Sequence, residues 1–595
     1  MSKQNKSQLE VKCLKGDAMT LLAFDMKEIP TGTFVGFTVH VQTSKKSYYL
    51  TNRLSFKDSI LVKNQISDQE KFSSLYSPYQ KFRWVHAPSG LTYTENPEFG
   101  EYIYTVSPRY LEKDILIPID DSLSVIVKIA VSPFEKGNLK LGFTRAFISS
   151  QAYTYYFGNE SKLRPNKSDL IFDIDKISGS AVRWNKVDKE EIDTPYTFRE
   201  QHNYLGWQAK DRIIEFLGEV VKNTELRLEV FAYDLNEPTI IGLLIDLAEQ
   251  GRIDIILDDY PNHIEEDCWE MKFEKLFKKK MHKQSTIFRG HFASQAHSKV
   301  FIQRDVKKNQ AVKVLTGSTN FTTNGLYVNA NHVLIFNDPE VAEIYSKVFW
   351  ASNSKGLMKA FNESTYAMSD HIFKKDWVPD MTIRFSPHSQ AKTLMFFKEI
   401  TDRILNAKSD VLFAVMIDSS NSSILDALKS QITSDKVFSY GITDETDDVI
   451  LYVPGSRKGV KVSGIGTKTD LPKPFRAVAK IPGHNIHHKF VVVDFKGENP
   501  VVYCGSSNLA FGPEQKNGDN LLEIRDKDVV TAFAIEAIRL IDHYHWRNRK
   551  EEALESSDSE KVLNLKDGSE AKKWFESYYD QTDLHYVERT LLIRD

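Results

Sequence analysis

His297-Ser298-Lys299 followed by Gly317-Ser318-Thr319-Asn320, and His487-His488-Lys489 followed by Gly505-Ser506-Ser507-Asn508: the chain writes the same short phrase twice. One His-x-Lys alone carries little weight, because roughly one is expected by chance among this many histidines and lysines. Recurrence in the same order, at similar distances, points instead to an internal duplication.

The surroundings of each phrase repeat as well. Residues 209–221 have the apolar spacing of a helix, 226–233 read as a strand, 240–248 as a helix ended by Gly251, and 253–257 as a strand. A second pass offers a helix over 389–407, a strand over 410–417 and a helix over 422–429. Each block then closes in its His-x-Lys strand and Gly-Ser-x-Asn loop, and the short apolar runs suit buried central strands. Residues 9–152 read differently. Runs at 33–42, 47–50 and 123–130, separated by turn clusters at 87–90 and 135–138, predict an all-β accessory domain, sandwich-like and without a catalytic constellation.

At 595 residues and 41% hydrophobic content, the chain is long enough for several cores of ~150 residues each. Cys13, Cys268 and Cys504 are few, odd in number and widely spaced, so neither a disulfide framework nor a cysteine-based zinc site is expected, and a reducing cytoplasm is the natural compartment. Residues 1–15 are polar, and no run approaches the ~18–20 apolar residues of a membrane span, so neither export nor a membrane partner is expected. The net charge of -3 hides an uneven distribution. Residues 272–313 hold twelve Lys/Arg against Glu274 and Asp305, and 455–489 hold eight against Asp470, so these two segments sum to +17 and leave -20 on the remainder. Each contains one His-x-Lys, so basic charge gathers where a polyanion would be steered to the motifs.

On these residues the chain resembles the phospholipase D superfamily, whose pattern is His-x-Lys, four residues, Asp, then Gly-Ser or Gly-Gly and Asn. The second copy carries it whole, with His487, Lys489, Asp494, Gly505, Ser506 and Asn508; the first has Arg304 where the Asp belongs, with Asp305 one position late. The resemblance covers about 194–545. It implies an α/β fold in which two phospholipase D-like lobes in pseudo-twofold arrangement form one active site, preceded by the all-β domain. The expected division is 1–158 all-β, 159–193 linker, 194–375 first lobe, 376–550 second lobe and 551–595 C-terminal tail.

The chemistry so implied is phosphodiester cleavage through a covalent phosphohistidine, without metal or other cofactor. One imidazole attacks phosphorus; the other protonates the leaving oxygen and later activates water. Lys299, Lys489, Asn320 and Asn508 would donate to the non-bridging oxygens, with Ser318 and Ser506 supporting the turn or the same contacts. The superfamily also places an acidic or amide residue eleven positions after each motif asparagine, here Asn331 and Asp519. In relatives such as the tyrosyl-DNA phosphodiesterases that residue orients the histidine of the opposite lobe, a carboxylate serving the nucleophile. By this likeness Asp519 orients His297, the nucleophile, and Asn331 orients His487, the general acid/base.

Tyr233, Asp234, Asp418 and Ser419 follow central strands where a cleft would form and are expected near substrate. His291 and His332 read as structural, and alternation turns His488 away from His487 and Lys489; His484 is set aside with it. Trp269, Phe273, Leu276 and Phe277 have helical spacing and read as core. Nucleic acid, DNA ahead of RNA, is the expected substrate, with a restriction or phage-defence role by analogy. A phospholipid hydrolase and a catalytically degenerate binding or scaffold protein are the alternatives. A protein partner for the β domain and a homo-oligomer are left open.

Overall fold

The computed structural model describes the whole chain except residues 1–2, 7, 53, 89–96, 147–150, 159–160, 167, 186–189, 353–356, 417–421, 435, 446–447, 455–457, 463–484, 556–563 and 595. Asp418, Ser419, His484 and most of the second basic segment thus lie outside the described residues.

The N-terminal region forms two antiparallel sheets. Strands Lys3–Lys6, Leu9–Lys15, Thr20–Met26 and Arg83–His86 make one; Phe34–Gln42, Ser47–Tyr49, Gly100–Glu112, Ile115–Leu116 and Val125–Val131 make the other. Phe24, Phe34, Phe37, Val39, Tyr104 and Val127 are fully or almost fully buried in a common core. The C-terminal tail returns to this domain: Phe575 and Tyr578 join its core, and the helix Leu584–Ile593 is held by ion pairs of Arg589 with Asp25 and of Glu588 with Arg83.

Two further sheets follow, and they are built alike. In the first, Leu139–Phe143, His332–Phe336, Gln310–Gly317, Val300–Asp305, Leu226–Ala232 and Ile253–Leu257 lie side by side. In the second the same places are taken by Val378–Phe385, Asn520–Ile524, Val501–Gly505, Lys489–Val493, Asp410–Met416 and Phe438–Glu445. The central strands are buried along their length, as their continuous apolar runs require. In each lobe a long helix precedes the first of the central strands, Phe198–Lys222 before Leu226–Ala232 and Gln390–Leu405 before Asp410–Met416. The first of these helices starts at Thr197, whose side chain and that of Glu200 each satisfy the other's backbone N–H in a capping box.

The equivalence of the edge strands revises the expected boundaries. The hairpin Glu135–Lys136 and Leu139–Phe143, assigned from sequence to the β domain, pairs antiparallel with His332–Phe336 and belongs to the first lobe, as the hairpin His371–Lys375 and Val378–Phe385 belongs to the second. Residues 159–193 are not a plain linker either. They carry most of a hairpin, Ile177–Asn185 with Glu190–Thr197, whose Ala181 and Tyr196 pack with Tyr153 and Phe157 in the first lobe's core. The largest core runs through both lobes: Phe143 and Leu334 from one, Phe490 and Leu522 from the other, and Phe533 and Ile538 of the helix Lys527–Glu555 lie in a single cluster. Trp269 opens the helix Trp269–Lys280, in which Phe273 and Phe277 are fully buried, as their spacing predicts.

Candidate active site

His297 and His487 stand in the loops that enter the central strands, just ahead of Val300–Asp305 and Lys489–Val493 rather than within them as the alternation reading assumed. Each loop is stitched to the opposite lobe by main-chain hydrogen bonds. Ala330 N–H donates to the Asn485 carbonyl (2.8 Å) and His487 N–H to that of Ala330 (3.0 Å); reciprocally, Gly518 N–H donates to Gln295 and Ser294 N–H to Lys516, both at 2.8 Å. A buried carboxylate braces each loop from its own lobe, Asp258 accepting from Ala296 N–H (2.5 Å) and Asp444 from Ile486 N–H (2.7 Å).

These stitches bring the orienting residues across. His297 Nδ1 lies 2.8 Å from Asp519 Oδ1, and His487 Nδ1 lies 2.9 Å from Asn331 Oδ1. The Asn331 amide is fixed by its other contacts, Nδ2 donating to the Gly325 carbonyl (2.8 Å) and Oδ1 accepting from Ser318 Oγ (2.7 Å). Its oxygen therefore faces His487, which must donate from Nδ1 and keep Nε2 for chemistry. Asp519 imposes the same tautomer on His297 but adds a charge. Burial holds the His297 pKa below the ordinary histidine value; Asp519 opposes this, while Lys299 and Lys489, one from each lobe, reinforce it. The imidazole is thus neutral at neutral pH, as a nucleophile requires.

The lysines fold back on their own motifs, Lys299 Nζ reaching the His297 carbonyl and Lys489 Nζ that of His487 (3.0 Å). Gly317 and Gly505 adopt φ of +148° and +135°, and a Cβ there would sit 2.3 Å from the His332 carbonyl oxygen and 2.5 Å from that of Asn520. Only glycine fits. The next residues clamp the same turn: the hydroxyls of Ser318 and Ser506 accept from His332 N–H (3.1 Å) and Asn520 N–H (3.0 Å), so the serines support the turn. Asn320 donates from Nδ2 to Asp234 (2.6 Å), and Asn508 is buried in the equivalent turn. Tyr233 packs edge-on against His297, ring centroids 4.7 Å apart, with Lys299 Nζ 4.7 Å from its ring centre. Tyr233 and Asp234 are thus brought to the site. His291 is paired with Asp259.

Asp494 is not part of this assembly. Its Oδ1 accepts from Lys408 N–H (2.7 Å), Ser409 N–H (2.9 Å) and Ser409 Oγ (3.1 Å), at the far end of a strand from Lys489, roughly 16 Å away at the usual rise. The motif Asp of the second copy, which the resemblance would make a supporting residue of the site, instead anchors a turn. Arg304 occupies the matching place in the first lobe, paired with fully buried Glu229 (2.7 Å), and Asp305 accepts from Lys308 N–H. The first lobe's departure from the motif therefore lies away from its histidine.

Several contributors escaped the sequence reading. Thr144 and Ser386 follow the two edge strands, and each hydroxyl bridges the opposing loop in the same way: Thr144 donates to the Asn329 carbonyl and accepts from Asn331 N–H, and Ser386 donates to Asn517 and accepts from Asp519 N–H. They pin the backbone of the two orienting residues. His488, turned away from its neighbours as alternation predicts, meets His332 (Nδ1 to Nδ1, 3.1 Å) and Glu536 (3.3 Å), and Glu536 is gripped by Arg539 (2.6 Å). Glu536 is the acceptor that fixes His488 as an Nε2 donor, so His488 Nδ1 receives the Nδ1 proton of His332. His332 Nδ1 is also 3.2 Å from Ser318 Oγ, which completes a buried chain from Glu536 to Asn331 and His487. Burial lowers the pKa of both histidines, keeping the pair neutral.

The first basic segment is less free than its composition suggests. Lys278, Lys280, Lys307 and Lys313 pair with Glu274, Glu249, Glu225 and Glu219. Lys275, Lys279 and Lys283 remain exposed along and just beyond the helix Trp269–Lys280.

Both lobes match a known family. A family model described as "Cardiolipin synthase, PLD-like domain" matches the chain twice, over residues 217–352 and 400–541, once in each lobe. The chain belongs to the phospholipase D superfamily. Solved structures match parts of the chain at low identity and low TM-score. Nuc from Salmonella typhimurium, a phospholipase D family member, is 20% identical with a TM-score of 0.18, over 23% of this chain and 83% of Nuc. Phosphatidylserine synthase from Haemophilus influenzae is 10% identical with a TM-score of 0.35, over 58% and 85% of the two chains. Polyphosphate kinase from Porphyromonas gingivalis is likewise 10% identical with a TM-score of 0.35, over 56% of this chain and 48% of the kinase, so the chain matches about half the length of that protein. No curated protein sequence matches the chain. Among the described residues no helix is long and apolar enough to cross a membrane.

Proposed function

We propose that the protein is a nuclease that hydrolyses nucleic-acid phosphodiesters, DNA ahead of RNA, through a phosphohistidine on His297. The crossed pairing, Asp519 on His297 and Asn331 on His487, is the observation that carries this reading. A carboxylate behind His297 stabilises the positive charge that its ring acquires as Nε2 attacks phosphorus; an amide behind His487 orients without adding charge, leaving that ring free to give and take a proton. In the first step the Nε2–phosphorus bond forms, the bond from phosphorus to the leaving oxygen breaks, and His487 supplies that oxygen's proton. In the second, His487 takes a proton from water, whose oxygen displaces His297. Lys299, Lys489, Asn320 and Asn508 receive the non-bridging oxygens.

The degenerate-scaffold reading loses its main support, because Arg304 lies at the distal end of its strand and Asn331 engages His487. Nucleic acid is favoured by exposed Lys275, Lys279 and Lys283, which extend basic charge from the helix whose first turn lies beside Asp234. The free thiols of Cys13, Cys268 and Cys504 suit a reducing cytoplasm. The test is incubation in EDTA with labelled single-stranded DNA, duplex DNA, RNA or phosphatidylcholine vesicles, beside a His487→Ala control. Cleavage of DNA, lost in the control, is expected; head-group release with intact DNA, or binding without turnover, overturns the proposal. Acid quenching should trap phosphate on His297, and label on His487 alone would reverse the roles.

A further inference from the structure

Beside Asn320, Asp234, His263 and Glu270 converge so that one ligand atom from each lies within 4.8 Å of the others. The group belongs to the first lobe. His263 comes from the short turn Pro261–His263 after a central strand, and Glu270 from the first turn of the helix Trp269–Lys280. His263 and Glu270 are buried, with Asp234 about one-third exposed toward the cleft. We propose that these three residues form a divalent-cation site of the zinc class, separate from the phosphodiester chemistry and coupled to it through Asn320.

The donor set is the first argument. One imidazole nitrogen and two carboxylates suit zinc, cobalt or manganese better than the all-oxygen shell magnesium and calcium prefer. The second is the support behind the histidine: His263 Nδ1 lies 2.6 Å from Asp258 Oδ2, while Nε2 faces Asp234 at 2.9 Å. A carboxylate on the far nitrogen is the usual backing of a metal-binding histidine, because it fixes the tautomer and strengthens the nitrogen turned to the ion. The third is Asn320. Its side chain is nine-tenths buried, its Nδ2 contacts Asp234 Oδ2 at 2.6 Å, and its Oδ1 has no hydrogen-bond partner among the described residues. Turning the amide would bring that oxygen to the same place as a further ligand.

Without an ion, Asp234 is shared, Oδ1 with His263 Nε2 and Oδ2 with Asn320 Nδ2. A cation held by these residues would draw Asp234 away from Asn320 Nδ2, releasing the donor that the first lobe offers to phosphate. No equivalent cluster occurs among the described residues of the second lobe.

The test uses full-length protein stripped with chelator and titrated with Co²⁺, followed by its visible absorption, with Zn²⁺ competition and metal analysis after desalting. One saturable equivalent is expected, displaced by Zn²⁺, retained in His487→Ala and weakened at least tenfold in His263→Gln and Glu270→Gln. Absence of a saturable equivalent overturns the proposal, as does binding that survives both substitutions in folded protein. Should the buried variants unfold by circular dichroism, Asp234→Asn decides, since that side chain is 30% exposed. The assay reads binding alone, so its failure leaves the proposed nuclease chemistry untouched, and failure of the nuclease assay leaves the cation site standing.

Discussion

The two lobes share a frame and differ in charge. Six strands, the glycine turn, the hydroxyl clamps at Thr144 and Ser386 and the carboxylate braces at Asp258 and Asp444 correspond across the pseudo-twofold. Asp519 answers Asn331, Asn520 answers His332, and Asp494 answers Arg304. Duplication preserved the parts that hold backbone in place, while the groups that carry a proton or a charge diverged. An active site shared by two halves needs this difference, because a nucleophile and a general acid must hold different protonation states at the same pH.

The most direct way to break the comparison is to remove each histidine in turn. His297→Ala should abolish the covalent intermediate and lower kcat by at least ~10⁴-fold. His487→Ala should lower turnover by about 10²- to 10⁴-fold, yet still show phosphate on His297 when the leaving group is good enough to depart without a proton. Rapid acid quench with an activated phosphodiester separates the two. Equal loss with no trapped intermediate in either variant would mean that the lobes share one role.

Next in size is the buried chain that runs from Glu536 to Asn331 behind His487. Glu536 sits between His488 and Arg539, and its pKa is held below the ordinary carboxylate value: burial works against this, but the Arg539 charge and the His488 bond prevail. Glu536→Ala leaves Arg539 buried without its carboxylate and should cost about 3–5 kcal/mol, read by denaturant unfolding. Because the chain ends at Asn331, activity in the surviving folded fraction should also fall, while the His297–Asp519 pair is untouched.

Asp519→Asn makes the two orienting residues alike and tests the charge itself. A loss of about 10²-fold in kcat is expected, close to 2.7 kcal/mol. The pH dependence carries the sign. Burial, Lys299 and Lys489 depress the His297 pKa and Asp519 raises it, so removing the carboxylate should move the acid limb of kcat/KM to lower pH. A limb that moves upward, or stays while kcat falls, would assign that limb to another group.

The crossing was foreseen only through the family resemblance, which places an orienting residue eleven positions after each motif asparagine, here Asn331 and Asp519; spacing alone does not say which histidine each one meets. The edge hairpin was not legible in the sequence. Leu139–Phe143 pairs with His332–Phe336 almost two hundred residues away, and its local pattern matches the β domain that precedes it, so only pairing reveals its owner. Alternation rightly turned His488 from the cleft but gave no hint of His332 and Glu536, which arrive from another strand and a late helix. Thr144 and Ser386 carry no motif at all; aligning the halves from their edge strands, rather than from their helices, is the signal that would have found them. The charge sum over 272–313 overstated the field, since glutamates from earlier helices and loops neutralise much of it.

The smallest expected effect on turnover comes from the most familiar letter of the motif. Asp494 binds two main-chain N–H groups and a hydroxyl around Lys408 and Ser409, and none of its contacts is with His487, Lys489 or Asn508. Asp494→Asn loses the charge that those donors share and turns a donor amide into a pocket built for an acceptor, which should cost about 1–3 kcal/mol of stability. Measured well below the unfolding transition, kcat/KM should stay within about threefold of the parent, or some 0.6 kcal/mol. The first lobe already makes the corresponding trade, because Arg304 and Glu229 close that end of the strand with an ion pair and leave the His297 loop unchanged. A loss beyond a hundredfold in folded Asp494→Asn would show that this carboxylate acts on His487 along the strand, and Arg304 would then mark a real deficit in the first lobe rather than a second way of ending a strand.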